Sequence, residues 1–391
     1  AIMTVRVNKP SFNIREKLSE LGRKFGLKGS ELAAAETVQE ARDLISAGRR
    51  NKVINGAMQF SQRTTSESGI SSSNTVRVLD RFMIRINGAG TWTVSQSTES
   101  PPGFSNSMRW QCTTANASPG TSDFMYMAHR FEGLNVQDLA KGTSSAKPVT
   151  VSFWVRSTVT GSYSFRLVDD QNNRQIGQNY TVEKADTWEY KTMTFAGDTT
   201  GALANDNSNR LSMLWWLAVG SNRTSGAIPT SWETMTTADE AAGQTANIAS
   251  STSNNFYITG IQLEVGRNAT DFEHRSYGEE LALCQRYYGK IRLSNQEWIY
   301  NESNAASHTW WMGYVPFSMR ANPDVDTSDL TMGISVSGLS GTVSSVVAAT
   351  PGDTPGRISM RVNMSANSGT DRAMYHTDGW SSDYISVNAD Y

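Results

Sequence analysis

The sequence predicts a mainly β protein, with a short α-helical N-terminal segment, a jelly-roll β-sandwich, one connecting helix and a smaller C-terminal β-sandwich. Three observations predict it. Many short segments alternate apolar and polar residues, the period of a strand with one covered face. Gly, Asn, Asp and Ser clusters punctuate those segments, as turns require. Helical spacing is confined to the first fifty residues and to one stretch near residue 280. A chain of 391 residues has room for about two or three domains. The expected division is 1–50 helical segment, 51–275 jelly roll, 276–289 connecting helix and 290–391 C-terminal sandwich.

In the first segment, Asn13 with Glu16 three residues later reads as a helix start. Ile14, Leu18, Leu21 and Phe25 follow at spacings of four, three and four, an a/d seam. One helix of that length is marginal alone in water, so the seam must lie on a partner, another subunit or its own domain. Thr37 and Glu40 cap a second helix that Gly48 ends. Residues 1–55 hold 11 basic and 6 acidic residues, net +5, in a chain of net charge -2. The pair Arg49-Arg50 has no interleaved aromatics, which favours an ion pair with a neighbour over nucleic-acid binding.

Strands are expected around 108–112, 149–155, 163–167, 188–192 and 256–265. Residues 211–219 (LSMLWWLAV) are apolar on both faces and should form a central, doubly covered strand. Polar stretches 201–210 and 221–253 should be surface loops, the second with a helical turn at 237–242. Asp169, Asp170 and Asn172 lack the spacing of a calcium loop, so a hairpin turn is preferred to a calcium site.

The jelly roll should close with a half-buried strand, Ile261, Leu263 and Val265 facing inward and Gln262 and Glu264 outward. Ser276 and Glu279 then form a capping-box pair, Leu281, Cys284, Tyr287 and Tyr288 form an apolar stripe, and Gly289 ends the helix. In the C-terminal part, strands are expected at 297–300, 309–317, 332–336, 358–364 and 384–387.

The block QLEVG…ATDFEHRSYGEELALCQRYY, within 261–290, closely resembles one recurrent in tail-fibre and related structural proteins of tailed bacteriophages, especially those of cyanobacteria. Residues 4–63, and most strongly 49–63, resemble the N-terminal attachment region of the same proteins, and 315–328 and 384–391 resemble their C-terminal end. The resemblance implies a virion location, an anchor docking on tail or capsid proteins, a homotrimer, and a jelly roll similar to carbohydrate-binding modules that meets host-surface glycan. Ile14, Leu18, Leu21, Phe25, Arg49 and Arg50 are the candidate anchor interface.

Stacking on sugar rings needs exposed aromatics, so Trp92, Trp232, Trp310 and Trp380 are the candidate glycan contacts. The alternative for Trp92 and Trp232 is packing of loops onto the sandwich. No nucleophile elbow, zinc-protease, P-loop or dinucleotide motif occurs, so no catalytic residue is expected. Cys112 and Cys284 read as buried small hydrophobes, and the four histidines lack metal-ligand spacing, so no metal or cofactor is expected. No apolar run approaches the roughly 18 residues of a membrane span, and no signal peptide is expected at the N-terminus. A fibre that binds carbohydrate without cleaving it is therefore the leading expectation. A capsid decoration protein and a polysaccharide depolymerase are the rivals.

Overall fold

The apolar alternation read along residues 66–265 resolves into two stacked antiparallel sheets. The structure is a computed structural model that describes residues 49–71, 78–292, 308–314, 317–321, 324–326, 333–336, 339–351, 357–364 and 384–390. The helices expected within 14–45 and the strand at 297–300 lie outside the described residues. In chain order the sandwich strands are β1 (Ser66–Ile70), β2 (Phe82–Asn87), β3 (Thr91–Ser97), β4 (Ser107–Thr114), β5 (Phe124–Glu132) and β6 (Val149–Ser157). They continue with β7 (Gly161–Asp169), β8 (Arg174–Val182), β9 (Glu189–Phe195), β10 (Asn209–Val219), β11 (Glu233–Thr234) and β12 (Asn255–Val265). One six-stranded sheet has the order β1-β3-β4-β12-β6-β9, the other β11-β8-β7-β10-β5-β2. The chain crosses repeatedly between them, as in a jelly roll.

The core lies between the sheets. Phe153, Phe165, Trp110, Trp215, Tyr163 and Phe256 are all fully buried in it. Strand β10 sits between β7 and β5, and both of its faces are covered, as its sequence predicts. Met213 and Trp215 face the core, and Trp216 faces a second cluster with Met83, Tyr126 and Ala241 on the outer side. The segment 221–242 folds over that outer side with short 3-10 turns, including Thr237–Asp239 within the predicted helical turn, and then Ala246, Ile248 and Ala249 enter the core.

Strand β12 departs from expectation. Gln262 and Glu264 are buried along with Ile261 and Leu263. The cause is a cover built from the two ends of the sandwich. Lys52 N donates to Leu263 O at 2.9 Å, Ile261 N donates to Gly56 O at 3.0 Å, and Asn51 bridges Ile261 O and Leu263 N. Glu264 accepts from Thr270, and Gln262 Oε1 accepts from Glu273 N at 2.9 Å. A buried polar face is stable only with such partners. A bulge between Thr259 and Gln262 uses Gly260 at φ +62°, where a side chain would meet the Phe104 ring.

The helix α1 spans Tyr277–Gln285 with Ser276 at its N-cap, but the Ser276 side chain makes no capping bond. Glu280 is buried instead and accepts from Asn55 N at 2.5 Å and from Arg275. Cys284 and Tyr287 are buried against Ile54 and Phe60, with Leu281 half-buried beside them. The helix ends before Gly289, because Tyr288–Arg292 forms β13 and its backbone pairs with residues 384–388.

The remaining strands are β14 (His308–Tyr314), β15 (Asp324–Asp326), β16 (Gly333–Val336), β17 (Leu339–Pro351), β18 (Arg357–Met364) and β19 (Tyr384–Asn388). They form a three-stranded sheet, β13-β19-β15, and a four-stranded sheet, β14-β18-β17-β16. The first is tied to the jelly roll: Arg63 and Arg81 both pair with Asp390, and Arg320 donates to Ala389 O and Asn207 O.

Candidate functional site

A groove of about 390 Å³ opens on the outer face of the second sheet. Alternation along the strands places its lining. In β5, Met125, Met127 and Phe131 enter the core, so Phe124, Tyr126, Ala128 and Arg130 stand on the other face. Register then aligns the neighbours. Arg85 pairs across from Tyr126 and Tyr126 from Trp216; Met83, Ala128, Leu214 and Arg166 form the next row; Arg130, Ser212, Val168 and Gln175 form the third.

The floor is aromatic at one end. Tyr126 stacks on Phe124 with centroids 5.7 Å apart and meets Trp216 at 4.9 Å. The 221–246 segment closes this end, where the Arg223 guanidinium lies 4.6 Å from the Phe124 ring centre and pairs with Glu240. Arg166 is held within the protein, donating to Phe165 O at 2.7 Å and Asp239 O at 3.0 Å. Burial lowers its pKa to about 10. Asp170 accepts from Ser212 Oγ at 2.6 Å. Although Asp170 is an exposed residue, desolvation of its inward-turned carboxyl shifts its pKa upward, opposed by the Ser212 bond and the Arg130 charge. Burial likewise raises Glu240, opposed by Arg223. Arg85 touches the Tyr126 hydroxyl only at 3.4 Å. Tyr126 and Trp216 are buried beneath this floor, so the lining offers the half-buried Phe124 ring, the guanidinium groups of Arg85, Arg130 and Arg223, and the Asp170 and Glu240 carboxyls. That set suits a polyhydroxylated ligand, held by stacking and by many directional hydrogen bonds.

The aromatic residues expected from the sequence are not gathered here. Trp92 is fully buried, its Nε1 donating to Ala89 O at 2.7 Å and its ring edge-on to Trp110, so no sugar can stack on it. That corrects its candidacy. Trp232 packs half-buried on the core, donates to Ala196 O at 2.8 Å and holds the Lys141 ammonium 4.9 Å from its ring centre. Trp310 falls on β14 opposite Arg361, and Trp380 lies outside the described residues. So do Ile14, Leu18, Leu21 and Phe25. Arg49 pairs with Glu279 within the chain, and the Arg50 guanidinium engages Thr270 Oγ1 and Asp271 O.

The 169–172 turn is a hairpin turn in which Asp169 accepts from Asn172 N at 2.8 Å and also from Lys141 Nζ. Lys141 Nζ further reaches Asp198 Oδ2 at 3.0 Å, Gly201 O at 2.9 Å and Thr200 O at 3.2 Å. An ammonium therefore sits at the convergence of oxygens that a cation would need. Among the described residues, no group of three or more His, Cys, Asp and Glu could hold a metal ion.

No protein-family model and no curated protein matches the chain. Solved structures do. The enzymatically active domain of tailspike protein 4 of bacteriophage CBA120 aligns at TM-score 0.30 and 13% identity, over 55% of this chain and 21% of that one. The chain thus spans about a fifth of that structure. A family 11 carbohydrate-binding module of a Clostridium thermocellum cellulosomal cellulase aligns at TM-score 0.27 and 11% identity, over 53% and 98%. A xylan-binding domain from Paenibacillus barcinonensis aligns at 0.25 and 9%, over 47% and 91%.

The groove residues left a partial trace in the sequence. Phe124, Tyr126, Ala128 and Arg130 alternate with an apolar set, and the doubly apolar 211–219 run announces a covered outer face. Which strand lies beside which, and so which arginines meet, is set by register alone.

Proposed function

We propose that this chain binds carbohydrate without cleaving it, in the groove over β2, β5, β10 and β7. The observation that carries the reading is a groove in which the half-buried Phe124 ring, backed by Tyr126 and Trp216, shares one lining with the Arg85 and Arg130 guanidinium groups and the Asp170 and Glu240 carboxyls. The wider setting is a phage virion, with the chain as a tail fibre whose first fifty residues anchor it and whose copies form a homotrimer. What supports that setting is the resemblance of two blocks, 49–63 and 261–288. They interlock in space: Asn51 accepts from Leu263 N, Asn55 N donates to Glu280, and Arg275 donates to Val53 O. Valency would then multiply weak single contacts.

The test is binding of the full chain to a glycan array, followed by titration of the best oligosaccharide. Tyr126→Ala should weaken binding about tenfold, the scale of one lost aromatic contact. Tyr190→Ala, which alters an exposed ring beside Trp154 on the other sheet, should leave it unchanged. A flat array, or the reverse pattern in the two variants, sinks the reading.

The depolymerase reading has one specific observation in its favour: Asp170 and Glu240, both with raised pKa, line the same groove. Each is already engaged, by Ser212 and by Arg223. Shortening of the bound polysaccharide by the wild type, abolished in Asp170→Asn, would favour the enzyme. Copy number per particle, a few at the tail or hundreds on the shell, separates a fibre from a capsid decoration protein.

A further inference from the structure

We infer that the ligand of this groove is an acidic polysaccharide, one whose sugars carry carboxylate or sulfate groups, and that Arg130 and Arg85 receive those groups. The inference rests on the carbohydrate reading above and specifies its ligand.

The chain as a whole is slightly acidic, at net -2. The groove is not: Arg85, Arg130, Arg166 and Arg223 line it against only Asp170 and Glu240, an excess of two positive charges in one cavity. Two of the four arginines are committed to the protein. Arg223 is paired with Glu240 and lies over Phe124, and Arg166 is fully buried and bonded to Phe165 O and Asp239 O.

The other two are not committed in this way. Among the described residues the Arg130 guanidinium makes no hydrogen bond or ion pair, although it stands half-buried on the groove wall. The Arg85 Nε is buried without a partner, and its Nη1 has only the long contact to the Tyr126 hydroxyl. The buried Arg85 Nε costs free energy unless a ligand or water completes it, and the half-buried Arg130 guanidinium, still open to solvent, is available to a ligand. Its planar fork matches a carboxylate or sulfate with two parallel hydrogen bonds. Arg85 and Arg130 stand in the first and third rows across β2 and β5, with Tyr126 beside Arg85 in the first row and the Met83–Ala128 row between the two arginines. A sugar lying over the Tyr126 and Ala128 rows would have Arg85 at its side and Arg130 at one end.

The experiment compares matched polymers on the full chain by affinity electrophoresis and calorimetry. The probes are polygalacturonate and its carboxyl-reduced form, and chondroitin sulfate and its desulfated form, with polyglutamate as a non-saccharide polyanion. The expected result is at least tenfold tighter binding of a charged polymer than of its neutral counterpart at low salt, the advantage shrinking as salt rises. Arg130→Gln and Arg85→Gln should each reduce that advantage while leaving neutral binding in place. Arg130→Lys should restore it in part, since charge returns without the fork. Tyr126→Ala should weaken charged and neutral forms alike. Thermal melting of each variant reports whether it is folded.

Equal binding of charged and neutral forms overturns the acidic-ligand inference and leaves the carbohydrate reading intact. An advantage that survives in the double arginine variant also overturns it, because the anion then lies elsewhere. Absence of binding to every saccharide, or retention of polyglutamate as strong as polygalacturonate, overturns the carbohydrate reading itself.

Discussion

Single side chains fix several of this protein's energetics. Lys141 is buried with Asp169 and Asp198, and each carboxylate has further partners, Asn172 and Arg174. Removing the ammonium leaves two buried carboxylates under-compensated. Lys141→Met should therefore cost about 3–5 kcal/mol in chemical denaturation, the range for breaking a buried pair. A loss below about 1 kcal/mol would show the cage to be water-accessible. His129 is a second case. Burial, then the charge of Arg81, drives its pKa well below the ordinary value, and its Nε2 accepts from Ile54 N at 3.3 Å, which needs the neutral ring. The unfolded chain takes up a proton below about pH 6.5, but the folded chain does not. Its contribution is thus intact above that pH and falls by about 1.4 kcal/mol per unit below it, down to the folded pKa. The melting profile from pH 7.5 to 5 should flatten in His129→Gln relative to wild type; parallel profiles would exclude His129 as a source. Neither residue stood out in the sequence, since a lone lysine and a lone histidine carry no spacing signal.

At the scale of elements, the decisive contact joins residues 49–56 to β12. It converts a strand that alternates in sequence into one buried on both faces. Gly56 shows how close the approach is, because a Cβ there would lie 2.2 Å from Ile261 O, a backbone atom that cannot rotate away. Gly56→Ala should lower stability by roughly 1–3 kcal/mol, the range for overpacking. An unchanged denaturation midpoint would mean the segment lifts freely from the strand. Strand β10 was legible because an apolar run on both faces has few placements other than the middle of a covered sheet. The outer half of β5 was not, because Tyr126 and Arg130 read equally well as solvent-facing until the neighbouring strands and the 221–246 segment are set against them.

For the whole molecule, the last described residue, Asp390, meets two arginines of the early sandwich in an ionic knot. Asp390 pairs with Arg81 at 3.0 Å and with Arg63 at 2.5 Å, while those arginines lie over the Tyr287 and Tyr288 rings. Arg81 and Asp390 are both buried. Asp390→Ala should cost about 3–5 kcal/mol, since it withdraws the carboxylate from buried guanidinium groups. It should also raise the protease sensitivity of the β13-β19-β15 sheet. A variant as stable and as resistant as wild type would show that this sheet holds without its terminal residues.

The sequence by itself determined the architecture and its punctuation. Period-two alternation, turn residues and a doubly apolar run specify a β-sandwich, because each strand's covered face is written in its own residues. It also located the helix near 280, through Ser276 and the acidic first turn. Only the tertiary structure decided what is buried and what is offered. Trp92 was a candidate contact until Trp110 and Ala89 enclosed it. Arg85 and Arg130, 45 positions apart in the chain, became one groove wall through the β2–β5–β10 register. A side chain's role there depends on neighbours brought from distant segments, and local sequence carries no record of them.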